Sequence, residues 1–128
     1  MSAPTPAVVT RYFAAVNAED WAGVGDLFTP DAELAAVGAP VRRGRTAIVK
    51  HFPWTLSALP AHHDEPTRVV VADTVVLVEI RFTGRSRAGA EVVFDAVDVF
   101  DLTEDGTAIR RLTSWYDTAA VARMVRGV

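Results

Sequence analysis

The chain has 128 residues, a formal net charge of −3 and no cysteine. Disulfides and thiolate chemistry are therefore excluded, and with no basic tract there is no electrostatic footprint for nucleic acid. Half the residues are hydrophobic, so one domain over 1–128 with a sizeable core is expected rather than disorder.

No apolar run reaches the roughly 18 residues of a membrane span, and the N-terminus lacks the basic start and apolar stretch of a signal peptide. A soluble cytoplasmic protein with no membrane partner is expected. Thr5-Pro6 reads as an N-cap followed by Pro at the first helical position, and Val9, Tyr12, Phe13 and Val16 then recur at helical spacing. Tyr12 falls on the buried stripe, whereas Arg11 and Asn17 fall off it. Asp20 caps a second helix with Trp21, Val24, Leu27 and Phe28 inward, which Pro30 ends.

Ala32, Leu34 and Ala36 then alternate as one face of a strand, Gly38-Ala39-Pro40 turns it, and Val41-Arg42-Arg43 returns beside it. Thr46 to Phe52 starts a third helix that Pro53 kinks or restarts, with Trp54, Leu56 and Leu59 carrying the apolar face onward. His62 to Pro66 reads as a polar connection. Two strands follow, Thr67 to Ala72 and Thr74 to Thr83, joined by a tight turn at Asp73. After a Gly/Arg-rich loop, 84–89, come the strand around Phe94–Phe100, the last strand Ala108 to Tyr116, and a short helix from Asp117 to Val125. Helices first and a meander afterwards predict an α+β domain with three N-terminal helices packed over a curved antiparallel sheet.

The strand Phe94-Asp95-Ala96-Val97-Asp98-Val99-Phe100 carries the first functional candidate. At a period of two, Phe94, Ala96, Asp98 and Phe100 share one face. A carboxylate among such neighbours is costly to ionise, so Asp98 needs a partner or a raised pKa. Asp95, on the opposite face, is expected to meet Glu79 and Arg81 as an ordinary outer-face charge cluster.

Several stretches together resemble the nuclear-transport-factor-2-like superfamily, and within it the SnoaL-like polyketide cyclases and ketosteroid isomerases. They are Tyr12 to Trp21, Leu27-Phe28 with Asp31-Ala32, Gly44 to Ile48 ending at Phe52, Val97 to Phe100, Asp105-Gly106 and Trp115-Tyr116-Asp117. The resemblance implies a cone-shaped α+β barrel around one pocket. In ketosteroid isomerases a Tyr on the first helix and a protonated Asp on the penultimate strand form an oxyanion hole, and Tyr12 and Asp98 match those positions. The isomerase base is matched by Ala36, and supporting Tyr positions are held by Phe28 and Phe52. The acid that epoxide hydrolases carry before the last aromatic pair is matched by Ser114. Isomerisation of steroids by the isomerase mechanism is therefore not expected.

His51, next to Phe52 on the third helix, is the substitute proton carrier, because imidazole titrates near neutrality. No metal is expected, since His62, His63 and Asp64 are adjacent and converge poorly on one ion. No cofactor is expected either. Trp54, Val76, Val78, Phe94, Leu112 and Tyr116 are the expected ligand-binding walls, with Ile80 and Ala96 beside them, which suits a small hydrophobic cyclic molecule. Val93, Val97, Val99 and Trp115 leave the other sheet face too apolar for water, and a homodimer through the sheet is expected. The expected function is acid–base isomerisation, cyclisation or dehydration of a polyketide-, steroid- or terpenoid-like ring. The alternative is non-catalytic binding of a small apolar ligand, for which Ala36 at the base position speaks.

Overall fold

The computed structural model describes residues 3–127. The first helix, α1, spans Ala7–Asn17. Pro6 is its N-cap rather than its first turn, with extended backbone (φ −57°, ψ 140°), and no side chain caps it, so Thr5 does not play the predicted part. Instead the Pro6 carbonyl accepts from the N–H groups of Val9 and Thr10. In α2, Trp21–Gly25, the Asp20 carboxylate accepts from the Gly23 N–H at 3.0 Å, as the spacing predicts. This helix is only five residues long, and Phe28 and Pro30 belong to the following strand, β1 (Phe28–Ala36). Pro30 is tolerated there because the ladder to the neighbouring strand is interrupted between Phe28 and Glu33.

A two-residue strand, β2 (Arg42–Arg43), returns beside β1 and leads through Gly44 into α3, Arg45–Thr55. The helix passes through Pro53 without ending, because Pro53 stands in its last turn, where few further backbone bonds depend on it. Four long strands follow: β3 (Ala61–Ala72), β4 (Val75–Arg85), β5 (Glu91–Leu102) and β6 (Ile109–Trp115). The hairpin between β3 and β4 turns at Asp73, which adopts φ 60°. Asp117 caps α4 (Thr118–Arg126) by accepting from the Ala120 N–H at 3.0 Å.

The six strands form one sheet in the order β2-β1-β6-β5-β4-β3. The expected antiparallel sheet is in fact mixed, because β1 and β6 run parallel while every other pair is antiparallel. The cause is topological: α3 carries the chain from β2 at one edge to β3 at the other, and the meander then returns to β1. The sheet is curved but does not close, since β2 and β3 are its two free edges. The class is α+β, as the element order predicts. The curved face holds the core, in which the α1 stripe Val9, Tyr12, Phe13 and Val16 packs with Phe28, Ile48, Phe100 and Leu112. Phe100 is wholly buried, with ring centroids 5.1 Å from Tyr12 and 5.8 Å from Phe13 in edge-to-face geometry. A second cluster, in which Leu59, Phe82 and Val92 meet Met124 and Val125 of α4, closes the other end. No helix of the described residues is long and apolar enough to cross a membrane.

Candidate active site

Beneath the helices lies one partly enclosed cavity of ≈ 190 Å³. Tyr12, Asp98 and His51, drawn from three separate elements, all reach its wall. Each is there because its element's periodicity points it inward.

Tyr12 is held in a collar of edge-to-face rings, with Phe13 and Phe100 at 5.1 Å, Phe52 at 6.2 Å and Phe28 at 6.4 Å. Burial, then the charges of Asp98 and Asp64, push its phenol well above the ordinary tyrosine range, so it remains a donor. Asp98 is 6% exposed and stands directly opposite Ser114 of β6. Burial is the main cause that lifts its carboxyl to about 7; Ser114 opposes the shift and Asp64 adds to it. A carboxyl that holds its proton near neutrality, inside an apolar wall, is able to donate a hydrogen bond to a developing oxyanion.

His51 is 4% exposed and lines the cavity from α3. Burial, then the nearby Arg42 guanidinium, lowers its pKa to about 4. The imidazole is thus neutral at physiological pH, and its Nδ1 has no protein partner. Near neutrality the protonated imidazole is therefore disfavoured, whereas the Asp98 carboxyl holds its proton up to about pH 7.

Of the six expected ligand-binding walls, Phe94, Leu112 and Tyr116 line the cavity, as do Ile80 and Ala96. Trp54, Val76 and Val78 do not. Val76 and Val78 are fully buried and fill the core beneath α1, so the cavity opens only further along the same face of β4, at Ile80 and Phe82. Trp54 is 55% exposed, with its ring under the Arg42 guanidinium at 5.0 Å and tilted against His51 at 5.9 Å. It packs against His51 outside the cavity.

Three polar wall residues were not anticipated, Thr55 at the end of α3, Ser114 and Asp64. Ser114 faces Asp98, and Asp64 enters from β3. The polar stretch His62 to Pro66 is strand, not connection. Its burial alternates, with His62, Asp64 and Pro66 inward and His63 and Glu65 outward. The same period of two applied to this stretch locates Asp64, but Pro66 and the run of polar residues conceal it. Pro66 is accommodated because β3 is an edge strand with a register shift between Pro66 and Arg68. Asn17, placed off the apolar stripe of α1, clamps this segment: its amide donates to the Asp64 carbonyl at 2.9 Å and accepts from the Asp64 N–H at 2.8 Å. Ala36 lines the cavity with no carboxylate in its place. On the other face Arg81 and Asp95 pair at 2.8 Å across β4 and β5, as expected.

A curved α+β sheet folded over one cavity defines the nuclear-transport-factor-2-like, ketosteroid-isomerase-like architecture. The chain belongs to the SnoaL-like domain family, which matches residues 9–111. Its structure is similar to a ketosteroid isomerase-like protein from Catenulispora acidiphila solved in complex with trimethylamine (21% identity, 96% of this chain and 95% of that one, TM-score 0.86). It is also similar to a polyketide cyclase assigned from Sinorhizobium meliloti (28%, 86% and 94%, TM-score 0.73). A third likeness is to the epoxide hydrolase/cyclase-like enzyme SalBIII, described for its role in pyran ring formation in the polyether salinomycin (27%, 88% and 90%, TM-score 0.75). No curated protein matches the sequence.

Proposed function

We propose that the cavity is an acid–base active site that isomerises, cyclises or dehydrates a small hydrophobic ring compound. The observation that carries this reading is the buried Asp98 carboxyl and the buried Tyr12 phenol meeting in the wall of one cavity. In that reading the Tyr12 hydroxyl and the protonated Asp98 donate to an oxygen that gains charge, and the neutral His51 imidazole accepts or relays the proton. The likeness to a polyketide cyclase and to SalBIII supports ring chemistry. The cavity's ≈ 190 Å³ compares with roughly 150 Å³ for an apolar cavity that takes up benzene, which favours one or two rings over a four-ring skeleton.

Titration of a phenol series of rising acidity tests the oxyanion hole. Affinity that rises with phenol acidity in the wild type, and falls at least about tenfold in both Tyr12→Phe and Asp98→Asn, is expected. Binding indifferent to both substitutions would leave the second reading, a non-catalytic pocket for an apolar ligand, which the alanine at position 36 favours. The apolar outer face of the sheet is proposed to seat a second copy of the chain, in a protein working in the cytoplasm.

A further inference from the structure

Asp64 and Asp98 place two carboxyl groups in one small cavity, and among the described residues no Lys or Arg lines it. The imidazoles nearest Asp64 are already engaged by other acids: His62 meets Glu19 at 2.8 Å and His63 meets Glu65 at 3.2 Å. Arg42, the cation near His51, lies over Trp54. The wall therefore holds no fixed cation, and the His62 and His63 imidazoles on β3 only partly offset the burial that raises the Asp64 carboxyl.

The surroundings of Asp64 are those that receive an organic cation. Asp64 is directly opposite Phe82 across β3 and β4, and Phe82 is directly opposite Phe94 across β4 and β5. The two rings stack at 4.6 Å, and Tyr116 follows at 5.2 Å. Because Phe94 covers one face of Phe82, the face turned toward β3 and Asp64 is the one left, and a carboxylate beside such a π-face attracts an ammonium group, more strongly where water is excluded. The Asp64 backbone is fixed at both its N–H and its carbonyl by Asn17, so its approach to the cavity is set before a ligand arrives. In the same wall His51 adds a buried imidazole whose Nδ1 is unpartnered.

We propose that the ligand of this cavity is a small ring compound bearing a protonated amine, with the ammonium received by Asp64 against the face of Phe82 turned away from Phe94. This rests on the reading of the cavity as the ligand site, and it divides the labour between the two acids. Asp64 holds the cation, which leaves Asp98 and Tyr12 for an oxygen of the same molecule. Burial raises the Asp64 carboxyl, so a cation that restores its charge gains affinity as Asp64 ionises. The titratable groups near Asp64 are Tyr12 from α1, Asp98 from β5 and its chain neighbours His62 and His63, of which His63 points to the other side of β3.

Benzylammonium, benzyl alcohol and benzoate are matched in size and differ in charge, and calorimetric titration of all three tests the proposal. Benzylammonium is expected to bind the wild type about tenfold or more tighter than benzyl alcohol, with benzoate weaker still. That preference should grow from pH 5 to pH 8, whereas benzyl alcohol binding changes little. In Asp64→Asn the preference is expected to vanish while benzyl alcohol binding persists, the latter showing that the cavity is intact. Equal binding of the alcohol and the ammonium, absence of binding by all three, or a preference that survives Asp64→Asn would overturn the proposal. The wild-type comparison decides the matter even if the variant fails to fold. A positive phenol series without ammonium preference would remove this inference alone; ammonium preference without a phenol response would remove the oxyanion hole and leave this inference standing.

Discussion

At the scale of single residues, Asp98 and His51 are titratable groups shifted in opposite directions by the same burial. The folded-state carboxyl of Asp98 is raised to about 7, so between the ordinary carboxylate range and pH 7 the folded state binds the extra proton. Stability from this group is present at low pH and is lost as pH rises through that window. His51 is lowered to about 4, so the unfolded state binds the extra proton between pH 6.5 and 4, and stability is lost as pH falls. Between pH 4 and 6.5 the two slopes oppose each other. Replacing Asp98 by Asn is expected to unmask the His51 term, so that stability rises with pH in that window. Above pH 7 the variant should exceed the wild type by up to about 4 kcal/mol, the equivalent of a shift of about three pH units. Urea unfolding at pH 4.5, 6.5 and 8 measures this; a variant less stable than wild type at pH 8 would refute the buried, uncompensated carboxyl.

At the scale of elements, the cavity depends on two joints. Asn17 ties the C-terminal end of α1 to the first residues of β3, and both of its bonds go to the backbone of Asp64. Asn17→Ala is expected to cost about 1–3 kcal/mol, because the Asp64 N–H and carbonyl lose their partner, and to weaken ligand binding along with stability. The second joint is Gly44, the N-cap of α3, which adopts φ 82°. An added Cβ would meet only the Pro30 carbonyl at 3.7 Å, so Gly44→Ala is strained by its backbone and not by crowding. Its expected cost is about 1–2 kcal/mol, read by thermal or chemical denaturation. Because α3 carries His51, a shift of this helix should also change ligand affinity.

At the scale of the whole molecule, the two faces of the sheet have separate tasks. The curved face holds core and cavity; the outer face presents Val70, Leu77 and Val99 in register across β3, β4 and β5, with Trp115 opposite Val97 alongside. Trp115, Val70 and Leu77 are all exposed in the single chain. The ion pairs Arg68–Glu79 and Arg81–Asp95 lie beside this apolar band. If a second copy covers it, sedimentation velocity will show a dimer at micromolar concentration and Trp115→Glu a monomer. A wild-type monomer at the highest soluble concentration would refute the dimer.

Local pattern is enough for the α+β class, for most element faces and for two of the residues that line the cavity. Tyr12 and Asp98 were legible because each interrupts an apolar stripe whose period is set by the backbone, and a polar group on such a stripe must face the interior. The outer-face pairing of Arg81 with Asp95 followed from the same alternation. What depended on long-range packing could be decided only by the tertiary structure. The parallel pairing of β1 with β6 joins residues some eighty positions apart, as Phe28 with Ile109, and no local period encodes it. Pro66 hides a strand that is permissible only at an edge, and edges exist only once the sheet is assembled. That edge hides Asp64 from the local pattern, and the same pattern does not separate Val76 and Val78, which fill the core, from Ile80 and Phe82, where the cavity begins. Periodicity says which side of a strand faces inward. Where along that side the packing ends and the cavity begins depends on the helices laid across it.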